Sequence, residues 1–216
     1  MAESASLWAR GWRQFGHLGP RGPLDGPPAL VIPGFLATDR TTMALRRTLA
    51  GAGWRVHGWD GGWNLGVRPD TLERLTQRLD AIAPDQPVLL VGWSLGGLFA
   101  RELARAAPER VQAVVTLASP FSGDPRLNNV WRLYERVAGH PVDAPPIARL
   151  SEKPPVPTLA LWGKRDGLLA ERAACGLAHE SDCSLGLPCN HMEFAASRRT
   201  TRAVVREIDT FLNRRA

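Results

Sequence analysis

One serine in this chain lies in a pattern that is typical of nucleophilic catalysis. The run Gly92-Trp93-Ser94-Leu95-Gly96-Gly97 matches Gly-x-Ser-x-Gly. An apolar stretch, Val88 to Val91, precedes the run, and an amphipathic stretch, Leu95 to Ala107, follows it. A sharp turn from strand to helix exposes a serine hydroxyl above the end of the strand, and glycines on both sides leave room for that turn. We therefore predict that Ser94 is a nucleophile.

A serine hydroxyl needs a histidine to accept its proton and a carboxylate to orient that histidine. When the serine lies in such a strand-turn-helix setting, the acid comes after the serine along the chain and the histidine comes after the acid. His191 comes after the last predicted strand, so we take it as the base. The other histidines lie in less suitable positions: His17, His57, His140 and His179.

Asp166 follows the preceding predicted strand and is the first choice for the acid. Because Asp-Gly is also a common turn pair, a purely structural role for Asp166 stays open. Asp124 is the second choice. Asp182 and Glu193 are less attractive, since they lie close to His191 in the sequence.

A tetrahedral intermediate also needs two hydrogen-bond donors for its negatively charged oxygen. The backbone N–H of the residue after the nucleophile, Leu95, is expected to supply one donor. The loop after the first strand reads Pro33-Gly34-Phe35-Leu36, and we expect the Phe35 N–H to supply the other.

Large apolar side chains lie in segments expected near Ser94, and they favour an apolar substrate. Besides Phe35, the candidates for substrate contact are Leu36, Trp93, Phe121, Trp131 and Tyr134. Filling of a small core is the alternative role for these side chains.

Short apolar runs alternate with amphipathic stretches along the chain, which predicts an α/β fold. The runs predict strands at 29–32, 54–59, 88–91, 111–117, 158–162 and 183–187. Apolar residues at helical spacing predict helices at 41–50, 72–82, 95–107, 129–138 and 200–212. We expect a doubly wound, mostly parallel sheet of about six strands with helices on both faces, since right-handed crossovers return the chain to one edge.

A chain of 216 residues is long enough for one core, and we expect residues 29–216 to form a single domain. Residues 1–28 are rich in glycine, proline and tryptophan and predict a lead-in, with Trp8, Trp12 and Phe15 as side chains that could contact the domain. Residues 119–156 contain many prolines and predict a short lid.

These motifs resemble those of the α/β-hydrolase superfamily, especially small bacterial esterase- or lipase-like members. The resemblance spans 29–213 and implies a Ser-His-Asp triad, an acyl-enzyme, no cofactor and a lid over the site. The leading hypothesis is a serine-dependent carboxylic-ester hydrolase with a small apolar ester as substrate. Acyl transfer and thioester hydrolysis would use the same residues, and a non-catalytic binding protein on this fold is a further alternative.

Charge and composition limit the other functions. The 27 basic and 21 acidic residues give a net charge of +6, which could suit nucleic acid, anionic lipid or an acidic partner. The densest arginines, Arg198 to Arg215, fall on the predicted last helix among apolar residues, so we expect a solvated helix face and no nucleic-acid binding. The sequence has no run of roughly 18 apolar residues, so we expect no membrane anchoring. It also has no basic start that leads into an apolar stretch, so we expect a cytoplasmic location.

Three cysteines, Cys175, Cys183 and Cys189, cluster late in the chain near His179 and His191. Their spacing, Cys-x7-Cys-x5-Cys, does not match the known zinc sites, so we expect no metal. Reduced thiols are the first expectation and a local disulfide is the alternative.

Overall fold

Six runs of the chain form one parallel β-sheet. The computed structural model describes residues 19–214. Its strands are β1 (Pro28–Ile32), β2 (Arg55–Gly58), β3 (Val88–Trp93), β4 (Val111–Leu117), β5 (Thr158–Gly163) and β6 (Cys183–Leu187). The spatial order is β2-β1-β3-β4-β5-β6, and every neighbouring pair is parallel. This confirms the predicted doubly wound sheet.

Seven α-helices connect and follow the strands in residues 19–214. They are α1 (Met43–Gly51), α2 (Thr71–Ile82), α3 (Leu95–Ala106), α4 (Trp131–Ala138), α5 (Glu171–Cys175), α6 (Glu193–Ala196) and α7 (Arg198–Asn213). The sequence predicted five of these helices. It did not predict α5 and α6, because five and four residues are too few to show a helical period.

The side chains of the sheet pack in two layers, which explains why the strands read as continuous apolar runs. On one face Val31 and Val91 join a cluster with Leu45 of α1 and Ile208 of α7. On the other face Leu30, Ile32 and Leu90 pack with leucines of α2 and α3. A helix layer therefore covers each face, and the strand ends are left for loops.

The last helix agrees with the prediction of a solvated, arginine-rich helix face. The arginines of the last helix, Arg198, Arg199, Arg202 and Arg206, are exposed as predicted, and so is Arg214 after it. Trp8, Trp12 and Phe15 of the expected lead-in lie outside the described residues. No helix within residues 19–214 is long and apolar enough to cross a membrane.

Residues 119–156 leave the sheet between β4 and β5 and carry α4. Arginine side chains bond one end of this excursion to α3 and join its two ends to each other. The fully buried Arg101 of α3 donates from Nη2 to the carbonyls of Ser151 at 2.7 Å and Glu152 at 2.8 Å. Arg149 donates from Nη1 to the Pro120 carbonyl at 2.6 Å. The excursion is thus a fixed part of the molecule.

One buried histidine in the sheet couples stability to pH. His57 of β2 is only 8% exposed. Burial, followed by the positive charges of Arg78, Arg55 and Arg46, lowers the pKa of His57 from 6.5 to about 4. As the pH falls below 6.5 the unfolded chain takes up this proton first, so folded-state stability is lost between pH 6.5 and 4.

Replacing His57 by leucine should remove this acid sensitivity. Between pH 7 and pH 4 the free energy of unfolding of the wild type should fall by about 3 kcal/mol more than that of His57→Leu. Urea unfolding at several pH values measures the difference. Thr116→Val, a change at another buried strand position that does not titrate, should keep the wild-type slope. Identical slopes for wild type and His57→Leu would contradict the assignment.

Candidate active site

Ser94 occupies the turn that joins β3 to α3. Its φ of +53° and ψ of −121° are sparsely populated for a residue with a side chain. The turn is so tight that a Cβ on Gly92 would overlap the Gly96 carbonyl, and one on Gly97 would overlap the Ser119 side chain. The glycines around the serine are therefore a steric requirement of the turn.

The loop after β1 lies directly against this turn. A Cβ added to Gly34 would lie 3.0 Å from Ser94 Cβ and 3.2 Å from the Trp93 ring. A Cβ on Gly96 would overlap the Ile32 carbonyl, so β1 and the start of α3 meet backbone to backbone. A side chain at Gly96 would thus prevent this approach, and one at Gly34 would crowd Ser94 and Trp93.

Two backbone donors in these segments are unpaired. The N–H groups of Phe35 and Leu95 donate to no acceptor within residues 19–214. Phe35 follows Gly34, and Leu95 follows Ser94. Because Gly34 packs closely against Ser94, the two donors lie on adjacent segments. Unpaired N–H groups beside a nucleophile are what stabilisation of an oxyanion requires.

A buried carboxylate holds the histidine. Asp166 Oδ2 lies 2.8 Å from His191 Nδ1, and the two side chains are only 5% and 7% exposed. Asp166 Oδ1 accepts the N–H groups of Leu168 at 2.8 Å and Leu169 at 3.1 Å. The same carboxylate therefore shapes the turn after β5 and orients the imidazole, so the turn role and the triad role do not exclude each other.

The charge of this carboxylate is favoured by its contacts. Burial by itself raises the pKa of Asp166. The hydrogen bond and charge of His191, with the N–H groups of Leu168 and Leu169, outweigh burial and hold the pKa below its ordinary value. Because Nδ1 of His191 faces the carboxylate, Nε2 is the nitrogen that remains to accept a proton.

Trp93 ties His191 to the turn that holds the serine. The indole Nε1 donates to the His191 carbonyl at 3.1 Å, and the two ring centroids are 5.5 Å apart. Since Trp93 directly precedes Ser94, this contact brings the end of β6 and the end of β3 together.

The other candidate acids have different partners. Asp124 is exposed and accepts the Arg126 N–H at 2.8 Å within its own turn. Asp182 accepts the Thr158 N–H at 2.8 Å. Glu193 Oε2 accepts the Asn190 N–H at 2.7 Å. Of the carboxylates weighed from the sequence, only Asp166 is bonded to the His191 ring in the described part of the chain.

Ser94 opens onto a largely apolar cavity. Leu95, Leu98 and Phe99 of α3 form one wall. The excursion forms much of the rest, through residues that include Val130, Trp131, Tyr134, Val142, Pro145 and Ile147. Residues 119–156 thus supply much of the wall of the cavity that Ser94 lines.

A family model described as "alpha/beta hydrolase fold" matches residues 30–139, which is about half of the chain. The chain belongs to the α/β-hydrolase family. Among solved structures, the thioesterase domain from the curacin biosynthetic pathway is similar, with a TM-score of 0.65 and 15% identity over 86% of this chain and 93% of that chain. A structure from work on LipS and LipT, two metagenome-derived lipolytic enzymes, is also similar, with a TM-score of 0.64 and 15% identity. The similarity covers 90% of this chain and 96% of that chain.

A curated relative is also similar over a short stretch. The pimeloyl-[acyl-carrier protein] methyl ester esterase of Salmonella heidelberg (strain SL476) is 52% identical over 58 residues. The match spans 27% of this chain and only 22% of the length of that esterase. The two structural neighbours and this local match agree on the hydrolase fold.

The aromatic residues expected to contact substrate divide into two groups in the structure. Trp131 and Tyr134 line the cavity together with Phe35. Trp93 and Phe121 do not, which corrects their expected role. Trp93 is 3% exposed and packs in the core layer of α1 and α7. The fully buried ring of Phe121 lies under the Arg101 guanidinium, 4.3 Å from its carbon.

Leu36 also departs from its expected role. Its side chain is 39% exposed and is not part of the cavity wall, while its φ of +54° turns it away from the extended direction of β1. The alternation of side-chain direction along β3, which buries Trp93, and the left-handed conformation of Leu36 are properties of the backbone. Residue type alone does not predict them.

No group of three or more His, Cys, Asp or Glu side chains within residues 19–214 is placed to hold a metal ion. Cys175, Cys183 and Cys189 are all free thiols. Burial, followed by the charges of Glu193 and Asp166, raises the pKa of Cys189 to about 11, so this thiol stays protonated at neutral pH.

Gly34→Ala should displace the loop that carries Phe35, because the new methyl group would lie within 3.0 Å of Ser94 Cβ. We expect labelling of Ser94 by an alkyl phosphonate to slow by roughly 10- to 100-fold, as for a small misplacement of reacting groups. Stopped-flow labelling followed by mass spectrometry measures the rate.

Gly51→Ala is the matched control, since nothing lies within 4 Å of a Cβ at that position. It should label at the wild-type rate. Equal rates for both variants and the wild type would show that the close approach at Gly34 is not needed.

Proposed function

We propose that this protein is a serine-dependent carboxylic-ester hydrolase that acts through an acyl-enzyme on Ser94. The observation that carries the proposal is the buried Asp166–His191 pair, joined at 2.8 Å, whose histidine carbonyl accepts a hydrogen bond from Trp93, the residue before Ser94 in its strained turn. A carboxylate–imidazole pair next to an exposed hydroxyl is the arrangement that activates a serine for attack on a carbonyl. The local match to a methyl ester esterase supports ester chemistry.

In the first step Ser94 Oγ attacks the ester carbonyl carbon while His191 Nε2 takes the hydroxyl proton. The ionised Asp166 stabilises the imidazolium that forms and keeps Nδ1 as the donor towards the carboxylate. The lowered pKa of Asp166 favours this ionised state throughout the neutral range.

The attack moves negative charge onto the former carbonyl oxygen. The N–H groups of Phe35 and Leu95 would bind this oxygen, since neither has another acceptor within residues 19–214. The amino-terminal end of α3 adds positive potential at the same place. Donors fixed before the reaction cost little reorganisation, and each is worth about 3–4 kcal/mol in related chemistry.

The intermediate then collapses, and His191 donates the proton to the leaving alcohol oxygen as the carbon–oxygen bond breaks. The acyl group stays on Ser94. A water molecule, deprotonated by His191, attacks the acyl carbon, and the carboxylic acid leaves as Ser94 recovers its proton. Transfer of the acyl group to an alcohol would differ from hydrolysis only in that the alcohol replaces water as the acceptor. Product analysis with added alcohols therefore separates hydrolysis from transfer.

The cavity indicates the substrate class. Its walls are mostly aliphatic and aromatic, with Glu102, Asn128 and Arg149 as polar exceptions, so an acyl chain gains from leaving water there, at roughly 25 cal/mol for each Å² of apolar surface buried. We therefore propose esters with an apolar acyl group. The similar esterase acts on a methyl ester carried by an acyl-carrier protein, as its name states, and such carried esters belong to the same chemical class.

Ser94→Ala, His191→Ala and Asp166→Asn test the triad. On p-nitrophenyl butyrate we expect kcat to fall by roughly 10⁴-fold or more for each, with the fold unchanged by circular dichroism. The alkyl phosphonate should label the wild type at Ser94 and should not label Ser94→Ala. A wild type that neither takes the label nor cleaves any ester, or a His191→Ala protein of near-normal rate, would contradict the proposal.

Val142→Trp tests the acyl cavity, because this half-buried side chain is part of its wall. We expect kcat/KM for p-nitrophenyl decanoate to fall by at least about 10-fold and that for the acetate to change little, as overpacking excludes only the longer chain. Val137→Trp is the control, since Val137 is 36% exposed on α4 and does not line the cavity. Equal losses on both esters would argue against acyl binding in this cavity.

A further inference from the structure

We propose that Asn64 is a positioning residue for this reaction, and that it fixes the loop whose Phe35 N–H binds the oxyanion. The inference rests on the proposed function, because it concerns the placement of a donor used there. Asn64 lies between β2 and α2, far in sequence from the serine, the histidine and the aspartate.

Four hydrogen bonds connect Asn64 to its surroundings, and three of them reach the loop after β1. The side-chain Nδ2 donates to the Pro33 carbonyl at 2.8 Å. The Asn64 N–H donates to the Ala37 carbonyl at 2.9 Å, and the Asn64 carbonyl accepts the Leu36 N–H at 2.8 Å. The fourth runs from the Gly66 N–H to Oδ1 at 3.2 Å.

These bonds enclose Phe35. Pro33, two residues before it, and Leu36, directly after it, are each bonded to Asn64, whereas the Phe35 N–H donates to no acceptor within residues 19–214. The Ala37 N–H closes the turn by donating to the Gly34 carbonyl at 3.1 Å. A single residue therefore fixes peptide groups on both sides of the Phe35 donor.

The loop needs such an external support. Leu36 has a φ of +54°, which is unfavourable for a residue with a side chain, and its N–H is held by the Asn64 carbonyl. The segment that contains Asn64 also holds the far end of the loop, since the Asp39 carboxylate accepts the N–H groups of Trp59 and Asp60, both at 3.1 Å. Residues 59–64 thus brace the whole loop.

The amide is chemically specific for this position. The Asn64 side chain has no exposed surface, so its donor and its acceptor must both be satisfied inside the protein. An amide can donate to Pro33 and accept from Gly66 at the same time. Ionised aspartate of the same shape keeps the acceptor and loses the donor, and leucine loses both.

Asn64→Leu and Asn64→Asp test the role, with p-nitrophenyl butyrate as substrate and phosphonate titration to count competent sites. We expect kcat per competent site to fall by roughly 10- to 100-fold with KM changed less than about threefold, because the donor acts on the transition state. Affinity for an alkyl trifluoromethyl ketone, which forms an oxyanion on Ser94, should fall by the same factor as kcat. Affinity for butyrate should not change.

A purely structural role would give a different pattern. Thr201→Val removes the hydroxyl of another fully buried polar side chain, bonded to Thr48 Oγ1 at 2.9 Å between α1 and α7, and should keep kcat and ketone affinity. For Asn64→Asp the wild-type-to-variant ratio of kcat should shrink as the pH is lowered, since a protonated carboxyl can again donate to Pro33. This ratio decides the question if Asn64→Leu does not fold.

Unchanged kcat and ketone affinity in Asn64→Asp at pH 8, in a wild type that is labelled at Ser94 and cleaves the ester, would overturn the role of Asn64 and leave the proposed function intact. A wild type without labelling and ester cleavage would instead overturn the proposed function and, with it, this inference.

Discussion

The close contact between the end of β1 and the start of α3 is the constraint from which the site follows. At Gly96 the two backbones meet without an intervening side chain, because a Cβ there would overlap the Ile32 carbonyl. This contact sets the loop after β1 against the turn of Ser94 and puts the Phe35 and Leu95 donors on neighbouring segments. A larger residue at either Gly34 or Gly96 would separate the donors from the nucleophile before any catalytic side chain was altered.

The sheet order extends this constraint to the acid and the base. β1 and β4 flank β3, so the loop after β1 and the turn of Ser94 follow neighbouring strands at the same edge. β5 and β6 follow in order, and the turns after them carry Asp166 and His191. In a parallel sheet all carboxyl ends lie at one edge, so residues far apart in sequence converge without long loops. The hydrogen bond from the Trp93 indole to the His191 carbonyl then links the turn of Ser94 to the loop after β6.

The sequence predicted the parts that depend on residue type and chain order. The strand runs are apolar because both faces are covered, and this made the six strands and the five longer helices readable. Ser94, Asp166 and His191 were chosen from their place after successive strands, and the structure joins the last two directly. The sequence did not predict properties that depend on backbone direction or tertiary contact. Trp93 and Phe121 looked like pocket residues because they are aromatic and near the motif, yet strand alternation and a stacking arginine bury them elsewhere.

Asn64 shows most clearly why part of the site was not readable. A lone asparagine in a glycine-rich segment is typical of a turn, and only its contacts with Pro33, Leu36 and Ala37 reveal a link to the oxyanion loop. Arg101 of α3 poses the same problem. Its residue type is typical of a solvated charge, yet the side chain is fully buried and bonded to carbonyls at the excursion's end. Since these bonds come from the protein itself, the walls that the excursion gives to the cavity need little ordering when a ligand binds, and less of the binding energy is lost in ordering the protein. Selectivity in such a site would come from the shape of a standing cavity, whereas rate would depend on how firmly the loop at Phe35 is held.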